Sequence, residues 1–348
     1  MTDPANPPHN PLGLNGFEFV EFTSPDPEAM ARQFEQLGFV PTHRHLTKNI
    51  TRFKQGRINL MLNRDADGRV AQFRNEHGAS ASAMAFRVAD PAEAMEWALA
   101  HGAQPTDEDD TVITGIGGSY LYFIQDGTDL YADWAEIPGW QQAEAENNVG
   151  LDLLDHLTHN VRRGQMRVWS EFYKTLFGFE EQKYFDIKGQ ATGLFSQAMI
   201  APDKAIRIPL NESQDDTSQI EEFIREYHGE GIQHLALTTP DIYDTVERLR
   251  ARGVKLQDTI ETYFELIDKR VPGHGEDVER LRKNRILIDG SPDEGILLQI
   301  FTENMFGPIF FEIIQRKGNE GFGNGNFQAL FESIELDQIR RGVIKVDA

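Results

Sequence analysis

The chain has 348 residues, 39% of them hydrophobic and 23 of them Phe, which is long for one domain and comfortable for two. Its 34 basic residues against 56 acidic ones give a net charge of −22, a surface that repels nucleic acid and anionic membranes. Cysteine is absent, so disulfides and thiolate chemistry are excluded, and any metal must be held by His, Asp or Glu.

The first residues, "MTDPANPPHNPLG", are polar and Pro-rich, without the basic start and apolar centre of a signal peptide. No apolar run of about 18 residues follows, so no membrane-spanning helix is expected and a cytoplasmic protein is the expectation. Four segments then repeat one plan: a short alternating strand, a helix with a periodic apolar face, and a Gly-marked stop. They are "GFEFVEFTSPDPEAMARQFEQLGF" (16–39), "SAMAFRVADPAEAMEWALAHGAQP" (82–105), "LDHLTHNVRRGQMRVWSEFYKTLFGF" (154–179) and "IQHLALTTPDIYDTVERLRARGV" (232–254). Gly38, Gly102, Gly178 and Gly253 stand where helix C-termini should fall. Further strands are expected at "RINLML" (57–62), "SYLYFIQ" (119–125), "AIRIPLN" (205–211) and "GILLQIF" (295–301).

The repeating unit is therefore βα followed by about three strands, with two units in each half. The halves are expected at 1–145 and 146–348, joined by the polar stretch "QQAEAENNVG" (141–150). An extra helix is expected over about 326–341, after the glycine-rich "GFGNGNF" (321–327). That stretch is a poor dinucleotide fingerprint, because only about 20 residues follow it and no βαβ unit can form. It reads instead as a hinge for the last helix, whose Phe327, Leu330, Phe331 and Ile334 share one face and suit a lid. This plan resembles the vicinal-oxygen-chelate superfamily. The resemblance implies an α+β fold of tandem βαβββ modules, forming two open-barrel, glyoxalase-like domains plus the C-terminal lid helix.

Matched strands carry the chemistry. On the strand "LDHLTHN" (154–160), His156 and Thr158 share one face while Asp155 and His159 point the other way. His234 lies on the first strand of the fourth unit, in "GIQHLAL", and Glu312 lies within the apolar run "GPIFFEIIQRKG" (307–318). A carboxylate there is costly unless it is paired, protonated or bound to a cation. A lone buried histidine is more often a hydrogen-bonded core residue. The N-terminal half serves as a control: Phe19, Met84 or Ala83, and Ala132 in "DLYADW" stand near the matching positions, so all three ligand candidates are missing together. Two His and one carboxylate with positions left open is the ligand set of non-haem Fe(II) oxygenases, and it also suits Mn or Zn. Asp155 and His159 read as supporting or structural residues. His9, His43, His45, His77, His101, His228 and His274 sit in polar contexts and read as surface residues, and "TDEDD" (106–110) reads as a solvated loop.

"LDHLTHNV", "GIQHLAL", "PLNE", "LLQIFT", "FFEIIQRKG" and "GFGNGNFQALFESIE" together resemble the 4-hydroxyphenylpyruvate dioxygenases, over about residues 12–344. The resemblance implies iron held by His156, His234 and Glu312. It implies substrate contacts at Ser196, Asn211, Gln233 and Gln299, with Gln233, Gln299 and Asn211 serving the reaction, and an aromatic pocket of Phe301, Phe310, Phe322 and Phe327. It also implies conversion of 4-hydroxyphenylpyruvate and O2 to homogentisate and CO2, Fe(II) as the metal, and a homo-oligomer, tetrameric or dimeric. An α-keto acid chelates such a metal through its own oxygens, so neither an Arg clamp nor 2-oxoglutarate is required. The rivals are 4-hydroxymandelate synthase, disfavoured by the bulk of Phe327; an extradiol catechol dioxygenase; and a metal-free binding module, disfavoured by the three candidate ligands.

Overall fold

Two eight-stranded mixed sheets divide the chain, one on either side of residues 137–153. The structure is a computed structural model that describes residues 10–107, 110–188, 193–216, 218–326 and 329. The first unit is β1 (Phe17–Thr23), α1 (Pro27–Gln36), β2 (Val40–Arg44), β3 (Ile50–Gln55) and β4 (Ile58–Asn63). After α2 (Gly68–His77) comes the second: β5 (Ser80–Val88), α3 (Pro91–Ala100), β6 (Val112–Thr114), β7 (Tyr120–Gln125) and the two-residue β8 (Ala135–Glu136). A helix, α4 (Trp140–Asn147), leads to the third: β9 (Leu154–Val161), α5 (Met166–Phe177), β10 (Glu180–Lys188), β11 (Gly193–Ile200) and β12 (Arg207–Ser213). Then α6 (Gln219–Tyr227) precedes the fourth unit: β13 (Gly231–Thr238), α7 (Ile242–Ala251), α8 (Glu261–Glu265), α9 (Ile267–Arg270), α10 (Val278–Asn284), β14 (Leu287–Ser291), β15 (Gly295–Phe301) and β16 (Phe310–Lys317).

Local chemistry explains the repeated βα step. Asp26, Asp90 and Asp241 each accept hydrogen bonds from backbone N–H groups in the first turn of α1, α3 and α7, and Pro27 and Pro91 fill the first helical position of α1 and α3. Gly38, Gly102, Gly178 and Gly253 all adopt positive φ at the helix ends, a conformation that glycine reaches without strain. The expected linker at 141–150 is mostly the helix α4, tied to the first half by Glu144 to Lys54 (2.8 Å) and to the second by Arg252 to the Asn147 carbonyl (2.7 Å). The final helix expected over 326–341 lies outside the described residues, except that 324–326 and 329 are helical. Phe327 also lies outside them.

Strand order shows the duplication. The second sheet runs β10-β11-β12-β9-β13-β16-β15-β14, so its two units meet at the antiparallel pair β9–β13. The first runs β6-β7-β5-β1-β4-β3-β2-β8, with β1–β5 as the matching pair. In each half the inner strands are flanked by parallel neighbours: β12 and β16 in the second, β4 and β7 in the first. This registers the halves against each other and corrects one sequence expectation. The counterpart of β16 is β7, whereas "DLYADW" lies mostly in a turn. Register runs His156–Ala236–Glu312 in one half and Phe19–Ala85–Tyr122 in the other. Tyr122, not Ala132, therefore stands at the Glu312 position, and Phe19 and Ala83 stand at the histidine positions.

The halves share one continuous core. Phe306, from the β15–β16 connection, packs its ring 5.4 Å from Phe22 and 5.2 Å from Phe34 of the first half, and 5.6 Å from Phe311 of its own. His77, read from sequence as a surface residue, is buried: it stacks on Tyr227 of α6 at 4.6 Å and donates from Nδ1 to the Tyr227 carbonyl (2.6 Å). The His274 side chain is only 5% exposed, bonded to Asp268 and to the N–H of Glu276. Polar neighbours along the chain could not show which helix face would be covered by another element. His9 lies outside the described residues. Phe306→Ala should cost about 3–5 kcal/mol of stability by cavity formation. Chemical denaturation followed by circular dichroism tests this, and a loss below about 1 kcal/mol would show that the Phe306 contact does not hold the halves together.

Candidate metal centre

Three central strands of the second sheet each contribute one ligand-type side chain. His156 comes from β9, His234 from β13 and Glu312 from β16, and their donor atoms all lie within 4.8 Å of one another. His156 Nε2 is 3.3 Å and His234 Nε2 3.5 Å from Glu312 Oε2, and all three side chains are buried. The parallel register of β13 with β16 sets Ala236 beside Glu312, which leaves room above a methyl group for the carboxylate and both imidazoles.

The other ring nitrogens are already engaged. Asp155 Oδ2 accepts from His156 Nδ1 at 2.8 Å, and Gln233 Oε1 accepts from His234 Nδ1 at 2.9 Å. Each Nε2 is thus left to face the centre, the outer-shell arrangement that orients metal-binding imidazoles. Asp155 is gripped in turn by Arg316 through Nε (2.8 Å) and Nη2 (2.7 Å). The pleat directs Asp155 away from the barrel interior, but its carboxylate still reaches the ring of its neighbour, which supports the expected structural part. The donor set fits a divalent cation of the Fe, Mn or Zn type.

The charges of these side chains agree with this. Burial pushes the Glu312 carboxyl up, but hydrogen bonds and attraction from His156 and His234 outweigh it and hold the group at about 2. Burial likewise opposes charge on Asp155, yet Arg316 and His156 keep it well below the usual carboxylate range. His156 is raised: burial is its largest influence and lowers it, but Asp155 and Glu312 prevail. His234 is lowered, mainly by burial.

A cavity of about 430 Å³ opens over these three side chains, within the range of small-molecule sites. Seven of the eight substrate-contact residues named from sequence line it: Ser196, Asn211, Gln233, Gln299, Phe301, Phe310 and Phe322. The eighth, Phe327, is outside the described residues. Phe310 stacks on the His234 ring at 4.8 Å, and Phe322 meets the His156 ring edge-on at 5.2 Å. Several lining residues escaped the sequence reading. Thr158, whose Oγ1 is 3.0 Å from His234 Nε2, had a signal, since it shares the His156 face of the pleat. Phe223 and Glu226 of α6, Gln257 and Asn326 had none, because only the packing of their elements brings them to the cavity.

Residues 9–134 match the family described as "Hydroxyphenylpyruvate dioxygenase, HPPD, N-terminal", and residues 153–266 match the "Glyoxalase/Bleomycin resistance protein/Dioxygenase superfamily". A 4-hydroxyphenylpyruvate dioxygenase from Pseudomonas aeruginosa is 55% identical over 350 residues, covering 97% of this chain and 98% of that protein. The chain belongs to the 4-hydroxyphenylpyruvate dioxygenase family. A second such enzyme, from Legionella pneumophila, is 49% identical over 97% of this chain and 98% of its own length. A protein named hemolysin VllY from Vibrio vulnificus is 53% identical over 96% of this chain and 98% of its own length. Among solved structures, a triple mutant of 4-hydroxymandelate synthase from Streptomyces coelicolor superposes with a TM-score of 0.79 at 26% identity. It covers 95% of this chain and 100% of that one. The fold is accordingly the glyoxalase-like α+β arrangement, and the chain is a dioxygenase of this family. No helix among the described residues is long and apolar enough to cross a membrane.

His159 gives a test of the barrel wall. It faces away from the cavity, is fully buried, and bonds through Nε2 to the Tyr173 hydroxyl at 2.7 Å; burial lowers its pKa from 6.5 to about 3. Between pH 6.5 and 3 the unfolded chain therefore binds a proton that the folded chain refuses, so stability falls as pH drops below 6.5. The contribution reaches about 2 kcal/mol at pH 5. Urea unfolding at pH 7.5 and pH 5 should show a smaller acid loss for His159→Gln than for the unaltered chain. Equal acid losses would mean that His159 takes up its proton in the fold.

Proposed function

We propose that the chain converts 4-hydroxyphenylpyruvate and O2 to homogentisate and CO2, with Fe(II) held by His156, His234 and Glu312. The observation that carries this reading is the buried two-His, one-Glu cluster opening into a cavity whose lining includes four phenylalanines and several neutral amides. When bound there, the metal would chelate the keto acid, activate O2 and supply the oxidant. Both oxygen atoms are accounted for: one enters the carboxyl group formed when CO2 is lost, the other enters the ring, and the side chain migrates to the adjacent ring carbon.

The chain's own residues do the positioning. Phe301, Phe310 and Phe322 offer ring faces and edges to a phenyl group and keep water from a reactive centre. Ser196, Asn211, Gln233 and Gln299 supply uncharged donors and acceptors to a phenol or keto oxygen, which suits a substrate whose carboxylate is neutralised by the metal. Gln233 has a double part, since its Oε1 also accepts from His234 Nδ1. Residues 1–145, which lack the ligands, serve in this reading as a scaffold domain, and residues 146–348 as the catalytic one. The homo-oligomeric state, as dimer or tetramer, and the cytoplasmic location belong to the same proposal.

A second reading is benzylic oxidation to 4-hydroxymandelate, favoured by the likeness to a 4-hydroxymandelate synthase structure. Purified protein loaded anaerobically with Fe(II) should consume O2 and release CO2 with 4-hydroxyphenylpyruvate, with homogentisate as the product identified by mass spectrometry. Replacement of His156, His234 or Glu312 by Ala should remove turnover while circular dichroism stays unchanged. Formation of 4-hydroxymandelate, or near-normal turnover in any of the three variants, would contradict the assignment.

A further inference from the structure

A buried line of hydrogen bonds runs from a cation on α9 to the carboxylate of the metal centre. Arg270 donates from Nη1 to Asn326 Oδ1 at 3.2 Å, and the Tyr263 hydroxyl donates to the same oxygen at 2.7 Å. Asn326 Nδ2 donates to Gln299 Oε1 at 3.0 Å, and Gln299 Nε2 donates to Glu312 Oε1 at 3.3 Å. Gln299, Asn326, Tyr263 and Glu312 are all at most 3% exposed. We propose that Asn326 is a positioning residue that locks the amide of Gln299 as a donor toward Glu312 and the cavity.

The two ends of the line permit one polarity. A guanidinium can only donate and an ionised carboxylate can only accept, so the two amides between them must run head to tail. Tyr263 reinforces the direction, because its hydroxyl oxygen accepts from Arg270 Nη2 (2.7 Å) and from the Ile288 N–H (2.9 Å). Its proton goes to Asn326, the nearer acceptor, the Ile288 carbonyl being 3.1 Å away. Gln299 Nε2 spends one hydrogen on Glu312 Oε1, while Oε2 faces the two histidines. Its other hydrogen is left for the cavity that Gln299 lines.

The glycine-rich stretch makes the contact possible. Gly323 has φ +72°, and a Cβ there would lie 1.6 Å from Gln299 Oε1. The bare backbone at 323 therefore lets the segment press against Gln299 and deliver Asn326 to it. That the second hydrogen of Gln299 Nε2 meets a substrate rests on the function proposed above; the effect on a metal requires only that His156, His234 and Glu312 hold one.

Asn326→Asp and Asn326→Leu separate the lock from simple packing. Asp keeps the acceptor for Arg270 and Tyr263 but offers Gln299 only another acceptor. Gln299 must then turn its amide nitrogen to residue 326 and its carbonyl oxygen to Glu312. Leu removes the acceptor shared by Arg270 Nη1 and the Tyr263 hydroxyl yet does not force that reversal. Fe(II) affinity is read anaerobically against a competing chelator, without substrate, and thermal unfolding is read on the same proteins. Affinity should fall about tenfold or more in Asn326→Asp and less in Asn326→Leu, while the melting temperature falls further in Asn326→Leu. Affinities that follow the melting temperatures, or that equal the unaltered chain in both variants, would overturn the proposal. An unaltered protein that binds Fe(II) but does not turn over 4-hydroxyphenylpyruvate would defeat the functional reading and leave this comparison standing.

Discussion

Much of the second half is arranged around a carboxylate in the wrong place. Glu312 is the third residue of β16, flanked by Phe311 and Ile313, where an isolated charge would carry a heavy desolvation cost. Two imidazoles, from β13 beside it and from β9 one strand further, make the position tolerable, and a divalent cation would make it favourable. The imidazoles must then be held with Nε2 inward, which calls for Asp155 and Gln233 behind them, and Asp155 calls for Arg316. One buried charge thus propagates outward into a shell of oriented partners.

The first half shows the same scaffold without that charge at its centre. Phe19, Met61, Ala85 and Tyr131 form a small core of their own, joined by Tyr122, Ile124 and Trp134. Where the second half has a cavity, this half has rings. Polar groups are pushed to its margin, where Glu18 binds Arg87 and the Tyr131 hydroxyl, and Arg52 lies over the Tyr131 face at 3.7 Å. Filling one barrel lets the other stay open, because a packed half can carry stability while an open half has room for chemistry.

Much of this was legible in the sequence, for reasons that can be named. The βα steps announce themselves through Asp caps, apolar periodicity and glycine stops, all of which act within a few residues. The candidate ligands His156, His234 and Glu312 stand out because each is a costly residue inside an apolar strand. No local pattern points to Tyr122 over Ala132, because strand equivalence depends on the parallel pairing of β5 with β7. His77 was misread because its burial comes from α6, 150 residues away. Asn326 gave no sign, since its partners Arg270, Tyr263 and Gln299 come from separate elements and meet it only after folding.

The central question is whether the three buried side chains form a single metal site. Anaerobic calorimetric titration with Fe(II) tests it most directly, comparing the unaltered chain with Glu312→Ala. One Fe(II) per chain is expected for the former, and loss of that binding in the variant. Unchanged binding in Glu312→Ala, or no binding to the unaltered chain, would contradict it.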